Sequence, residues 1–475
     1  MVVTILCHPD FDRIGDVAYL FPAGANQDCR LSRKEPTFHR VFSPESSGAP
    51  LQTMCSSAEP IRLESGATGV TLSRREFKGV LRVDGKDVVE SLEFDLGDLS
   101  RGKVVQFGDF VALMIHLGQR HSENDQSLMD LRKNPAFAEL IGESDALFDL
   151  LAQIDKTKDE PDRGITLFGE IGTGKQLVGN ASHDISRRKG NFSRLPCFGA
   201  TAELVTFDWM GSKKVLNDKG DIGPGAIQQK APGTLMFDDF QHADREVQKL
   251  FVQILDKPDR LTVRPYGGGI EEVKGLRWIV AFNAEPDAVR SGDDVPFELA
   301  LKRLDPNLPS RLRRGYCISV PPLRERRSDV GRLLRHFLLK FFPRDQTIKL
   351  EKPTVDGGPG PRRPWLRADA VCRLVGYDWP ENVRELEATV RQLVDKQAAS
   401  HKCRSEAIQL RAAPSIKPHP PDEPPVIQKI RKLGESDPKL AEAALLSLKV
   451  NQTEVAERTG LNRQQVIRRL AKNEL

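Results

Sequence analysis

The chain has 475 residues, 39% of them hydrophobic, and 71 basic against 67 acidic residues leave a net charge of +4. That length exceeds one compact core and predicts about three domains, while the near-even charge excludes nucleic-acid binding by bulk charge, so that only local clusters count. The seven cysteines are scattered, odd in number and never spaced C-x-x-C, which argues for reduced thiols and against a disulfide framework or a zinc site.

The opening MVVTILCHPD lacks the basic start, apolar run and cleavage site of a secretory signal. No apolar stretch approaches the ~18 residues that would cross a bilayer. A soluble, cytoplasmic protein without a membrane partner is expected.

Residues 1–120 alternate short β-rich runs (VVTIL, VTLS, VLRV, VVQF, FVALMIHL) with Gly, Asp and Pro breaks, the pattern of an all-β sandwich. From about Asp130 the texture becomes helical and then alternates strand-like runs (ITLF, TLMF, WIVAF, ISV) with helical ones, which predicts an α/β domain with a largely parallel sheet over 134–345. A small helical subdomain follows over 346–398. Residues 399–430 contain APSIKPHPPDEPP (Ala413–Pro425), too proline-rich for a core and read as a semi-rigid linker. The last segment, 431–475, is helical again. The predicted fold class is therefore multidomain: an all-β sandwich, a central α/β domain with a helical part, and an all-α tail.

GEIGTGKQ fits G-x-x-x-x-G-K, with a strand before it and a helix after it. Glycines at 169, 172 and 174 let backbone N–H groups turn around phosphates, the helix start adds its dipole, and Lys175 supplies a point charge. The residues of this cradle are Gly169, Glu170, Ile171, Gly172, Thr173, Gly174, Lys175 and Gln176. They predict ATP as the ligand, while Gln176 in place of the usual Ser/Thr removes one hydroxyl ligand for Mg2+. Asp238, at the end of TLMFD, is the candidate metal ligand, and Asp239 is placed to orient the attacking water.

Near the end, TEVAERTGLNRQQVIRRL has helix-turn-helix spacing, with Ala456 small, Gly460 at the turn and Leu461 and Val466 apolar. Asn462 can cap a second helix that carries Arg463, Gln464, Gln465, Arg468 and Arg469, side chains suited to base edges and phosphates. A basic amphipathic helix capping a bundle is the alternative.

Across roughly Asn134–Asp395 these residues resemble the AAA+ domain of bacterial sigma-54-dependent transcriptional activators. LIGESDALFDLL is similar to the segment that opens that domain and lies near the adenine, which implies a role for Ile141. GEIGTGKQ is similar to the family's GESGTGKE, where an acid rather than Ser/Thr follows the lysine. SVPPLRERRSDV and YDWPENVRELEATV are close to family signatures.

The resemblance implies that Asn283 is the sensor of the γ-phosphate, that Arg384 is the sensor arginine of a helical lid, and that Arg311 and, more loosely, Arg303 reach a neighbouring subunit's nucleotide. It thereby implies a homo-oligomer, from dimer to ring, acting on RNA polymerase with sigma-54. The tail resembles a Fis-like module that binds promoter-upstream DNA.

The first 120 residues resemble a forkhead-associated domain. Ser73 and Arg74 of SRRE would there hold a phosphothreonine of a partner phosphoprotein, the alternative being a degenerate domain used for protein contacts.

Two departures stand out. Where the family contacts sigma-54 through GAFTGA, this chain reads WMGSKKVLNDKGDIGPG (Trp209–Gly225), and Asp239 stands where the family has Glu. The expected function is an ATP-binding, DNA-binding transcription regulator that couples hydrolysis in an AAA+ ring to RNA polymerase. The alternative is a degenerate relative that binds nucleotide and DNA without remodelling sigma-54.

Overall fold

VVTILC at Val2–Cys7 is buried at all six positions, whereas a strand on the outside of a sandwich alternates. IRLES at Ile61–Ser65 does alternate, buried at every second residue. A continuous buried run requires cover on both faces of the sheet, and the computed structural model of the protein shows that cover. It describes residues 1–21, 27–40, 48–51, 61–66, 69–74, 77, 79–118, 126–213, 223–283, 301–302, 304–342, 365–397, 408 and 410.

The N-terminal part is a pair of antiparallel sheets. Strands β1 (Val2–Cys7), β2 (Val17–Tyr19), β6 (Leu81–Val83), β7 (Lys86–Asp87), β9 (Lys103–Phe107) and β10 (Val111–His116) form one sheet in the order β2-β1-β10-β9-β6-β7. The other runs β3-β4-β5-β8, from β3 (Asp28–Leu31), β4 (Ile61–Ser65), β5 (Gly69–Ser73) and β8 (Ser91–Asp95). A short helix, α1 (Leu96–Arg101), starts at Asp95, whose side chain accepts from Asp98 N. Val3, Ile5, Leu63, Leu72, Phe94, Val105 and Leu113 fill the space between the sheets. A β-rich N-terminal region is therefore present.

The central part holds a five-stranded parallel sheet in the order β12-β13-β14-β11-β15, built from β11 (Ile165–Gly169), β12 (Asn191–Pro196), β13 (Gly233–Asp238), β14 (Leu276–Asn283) and β15 (Tyr316–Ser319). Helices α2 (Asp145–Asp155), α3 (Lys175–Ile185) and α4 (Arg245–Ile254) lie among these strands in the chain. Leu147, Leu151 and Ile154 of α2 and Val178 and Ala181 of α3 share a core with Ile165, Leu167, Ile279 and Ala281.

Three later helices pack together: α5 (Val330–Phe341), α6 (Ala368–Val375) and α7 (Asn382–Gln397). On α5 the buried set Val330, Leu333, Leu334, Phe337 and Leu338 follows the three-and-four spacing of one helix face. The helix lies within 134–345, yet this face joins the core of α6 and α7 and not that of the parallel sheet. The same core takes Leu6, Cys7, Phe11, Ile14, Val104, Ala112 and Met114 from the N-terminal part. This is the second cover of β1 that its sequence requires.

Residues 1–284 and 300–411 make one compact unit. The expected helix-turn-helix, with Asn462, Arg463, Gln464, Gln465, Arg468 and Arg469, lies outside the described residues, as does Arg303.

Candidate nucleotide site

Parallel register brings the site together at the C-terminal edge of the sheet. Gly169 pairs with Asn283, and Asp238 sits opposite Pro196. This is the edge where open α/β sheets place ligands. Gly172 and Gly174 have φ of +75° and +99°, a backbone that favours glycine. At Gly172 a Cβ would stand 2.0 Å from the Glu381 carbonyl oxygen, so the loop rests directly on the backbone that enters α7. Val383 N donates to Gly172 O at 3.1 Å and seals that contact.

Lys175 begins α3 and is buried. Its Nζ donates to Gly169 O at 2.9 Å, to Glu170 O at 2.8 Å and to Asn283 Oδ1 at 2.6 Å. Burial pushes its pKa down to about 8, opposed by the carboxylates of Asp238 and Asp239. Asn283 in turn donates Nδ2 to Asp239 Oδ1 at 2.7 Å, and its backbone N donates to Gln241 Oε1 at 3.0 Å. A polar chain thus runs Lys175–Asn283–Asp239 across the ends of three elements.

Asp239 has φ 56° and ψ 39°, the left-handed region that Asp and Asn enter more readily than other side chains. Asp238 accepts Asp239 N on Oδ1 at 3.0 Å. On Oδ2 it accepts Arg194 Nη2 at 2.5 Å, and Arg194 Nη1 donates to Gln176 Oε1 at 2.7 Å.

The Glu170 side chain turns away from the phosphate loop toward the PPLRER segment. Its carboxylate is 1% exposed and meets Arg324 through Nη1 at 2.8 Å and Nη2 at 2.5 Å, with Asn382 Nδ2 adding a third bond at 3.1 Å. Only its carbonyl faces Lys175. Asn382 also accepts Leu323 N at 2.7 Å and donates to Ile171 O at 3.0 Å. The PPLRER segment, the phosphate loop and α7 are therefore tied at one point.

A cavity of about 1050 Å3 is lined by Gly172–Gln176, Arg194, Asp238, Asp239, Asn283 and Arg384, and it extends to Ile141. Ile14 and Arg40 of the N-terminal part also line it. Arg326 lines it too, is 6% exposed, and its Nε has no partner among the described residues. Ile171 is exposed.

Arg311 is not among the lining residues. It donates to Asn307 O at 2.9 Å and to Asp256 Oδ1 at 3.3 Å on its own chain. Ser73 is buried, and the Arg74 guanidinium donates to the carbonyls of Phe77, Val88 and Gly79 at 2.8, 3.1 and 2.9 Å. As placed, Arg74 fastens its own loop.

Sequence reasoning did not single out Arg194, Arg324, Asn382, Gln241 or Arg326. Arg194 carried one available signal, a charged residue inside a strand-like run. Arg324, Arg326 and Asn382 come from segments recognised as whole signatures, and Gln241 follows directly on TLMFDDF.

The donor set for Mg2+ is thin. Mg2+ takes near-octahedral oxygen ligands, usually one or two carboxylates with phosphates and water. Here Gln176 supplies neither hydroxyl nor carboxylate, Thr173 Oγ1 donates to Glu170 O at 2.9 Å, and a guanidinium occupies Asp238 Oδ2. Among the described residues no group of three His, Cys, Asp or Glu is placed to hold a metal. Of the two carboxylates in the cavity, Asp238 shares Oδ2 with a guanidinium and Asp239 shares Oδ1 with the Asn283 amide, so the donor set fits a resident Mg2+ poorly.

Residues 140–295 match the family model described as the Sigma-54 interaction domain. The DNA-binding transcriptional regulator NtrC of Azospirillum brasilense is 30% identical over 57% of this chain and 49% of its own length. The DNA-binding transcriptional activator HyfR of Escherichia coli is 27% identical over 57% of this chain and 37% of its own. The Psp operon transcriptional activator of Escherichia coli is 25% identical over 71% of this chain and 98% of its own. The chain spans half or less of the length of the first two. Among solved structures, NtrX from Brucella abortus in complex with ATP aligns with 22% identity and a TM-score of 0.43, over 74% of this chain and 72% of that one. No helix among the described residues is long and apolar enough to cross a membrane.

Proposed function

We propose that the protein is an ATP-binding transcription regulator of the sigma-54 type, in which bound nucleotide sets the state of an AAA+ oligomer and hydrolysis is slow. The observation that carries this reading is the polar chain Lys175–Asn283–Asp239 at the strand ends, beside a cavity lined by the phosphate loop and Arg384. A buried lysine held at the mouth of a glycine loop is suited to an anionic phosphate chain, and Ile141 offers an apolar wall to a base.

Slow hydrolysis follows from the acids. Asp239 is one methylene shorter than the family's Glu, and a displacement of ~1 Å can cost on the order of a hundredfold in rate. In this reading DNA contact belongs to the tail around Asn462–Arg469, the N-terminal sandwich is a docking domain, and Arg311 exchanges Asp256 for a neighbour's nucleotide when subunits assemble. Polymerase carrying sigma-54 is the target, reached through Trp209–Gly225 without a GAFTGA tip.

A second reading, a working motor, is favoured by the retention of Lys175, Asn283 and Arg384 together. Steady-state ATPase and ATP-binding measurements, with Lys175→Ala as control, separate the two. Binding with turnover near that of the control supports the first reading, and turnover that rises with oligomerisation and opens a sigma-54 promoter supports the second. Absence of nucleotide binding refutes both.

A further inference from the structure

We propose that Arg194 is a built-in cation of the nucleotide site, placed so that ATP binds without a divalent metal. The inference rests on the nucleotide reading above and adds the identity of the counter-charge.

Arg194 lies on β12, which runs parallel to β13 with Arg194 opposite Met236 and Pro196 opposite Asp238. Its side chain therefore starts two residues below the strand end and reaches up to it. There the guanidinium bridges Asp238 Oδ2 at 2.5 Å and Gln176 Oε1 at 2.7 Å, so it stands between the carboxylate that ends β13 and the residue that follows the phosphate-loop lysine. A metal bridging phosphate and strand-end carboxylate would compete with the guanidinium for Asp238 and sit against the arginine's own charge at a separation of a few ångström.

The neighbouring charges fit an anion. Lys175, Arg194 and Arg384 face Asp238 and Asp239 in one cavity, which leaves a positive surplus for the phosphates. Gln176 is part of that balance. An amide accepts from the guanidinium without cancelling its charge, whereas a carboxylate at 176 would neutralise it.

Arginine carries five donors in a fixed fork, and two of its nitrogens are engaged here with one bond each. N–H groups remain for phosphate oxygens, with which guanidinium forms strong charge-assisted bonds. The Arg194 side chain is 41% exposed against 12% for Asp238, so a ligand in the cavity can reach it.

The test is binding of radiolabelled ATP to the full chain in EDTA and in Mg2+. Wild-type protein is expected to bind with dissociation constants within about threefold of each other in the two conditions. Arg194→Ala is expected to weaken binding tenfold or more in EDTA and to recover in Mg2+, because Asp238 Oδ2 is released. Arg194→Lys, which keeps the charge but loses the fork, is expected to fall between them. Thermal unfolding of each variant confirms that the fold is retained.

Wild-type binding that requires Mg2+, or an Arg194→Ala variant that matches wild type in EDTA, overturns the inference and leaves the nucleotide reading standing. Failure of the wild type to bind ATP in either condition overturns both.

Discussion

Glu170 of the phosphate loop and Arg324 of the PPLRER segment form a two-bond ion pair at 2.8 and 2.5 Å, with the carboxylate 1% exposed. A carboxylate this deep is retained only with its partner. The pair joins the loop to the segment that leads into α5, so loop geometry and helix position are set together.

Arg324→Met is therefore expected to destabilise the protein by about 3–5 kcal/mol, because it leaves a buried charge uncompensated. Adding Glu170→Leu in the same chain is expected to restore part of that loss. Urea unfolding of the wild type, both single variants and the double variant reads the coupling directly. Additive losses would show that the two side chains do not act as a pair.

Leu6 of β1 lies in the same core as Leu334 of α5 and Val371 of α6. Leu6→Ala is expected to cost about 2–5 kcal/mol. Its effect should appear outside the N-terminal part, as faster hydrogen exchange of the amides in Val330–Phe341. Faster exchange confined to residues 1–118 would mean that the two parts unfold separately.

Much of this was legible from pattern, and the limits have physical causes. Strand alternation predicted the β-rich start, and the continuous run VVTILC already carried the sign of a sheet covered twice, but periodicity cannot say which element supplies the second cover. The phosphate loop and Asp238 were marked by spacing from a strand end, whereas Asn283 was named only through the family resemblance. Glu170 was read as a phosphate contact since its position lies in the loop, whereas its side-chain direction depends on Arg324, 154 residues later. Arg194 offered only its charge within NFSRLP, which does not say what it meets. Only sheet order, with β12 beside β13, brings it to Asp238.

Lys175 ties nucleotide binding to pH. Burial lowers its pKa to about 8 in the folded protein, from its ordinary value of 10.5. Between those two values the unfolded chain binds more protons than the folded one, so stability rises with pH across that window. Bound phosphates favour the charged lysine and draw a proton back. ATP binding at about pH 9 is thus expected to take up protons, and affinity is expected to fall as pH rises beyond about 8. Calorimetry in two buffers of different ionisation enthalpy measures the uptake. Lys175→Met should abolish it, and uptake that persists in that variant would assign it to another group.

Asp239 separates fold from chemistry. Its backbone is left-handed at φ 56°, a conformation that Asn accepts as readily as Asp, and an amide oxygen can still accept Asn283 Nδ2 in place of the carboxylate oxygen now at 2.7 Å. Asp239→Asn should therefore leave unfolding free energy within about 0.5 kcal/mol of wild type, as expected of a substitution that breaks no packing. Hydrolysis is another matter, since an amide cannot accept a proton from water, and removing a general base typically costs about 10²–10⁴-fold. The expected result is ATP binding close to wild type with turnover lost by at least two orders of magnitude, read by single-turnover hydrolysis on the assembled protein. Unchanged turnover would remove Asp239 from the chemistry and leave it as the acceptor that positions Asn283, in which case Asn283→Ala rather than Asp239→Asn would alter the response to nucleotide.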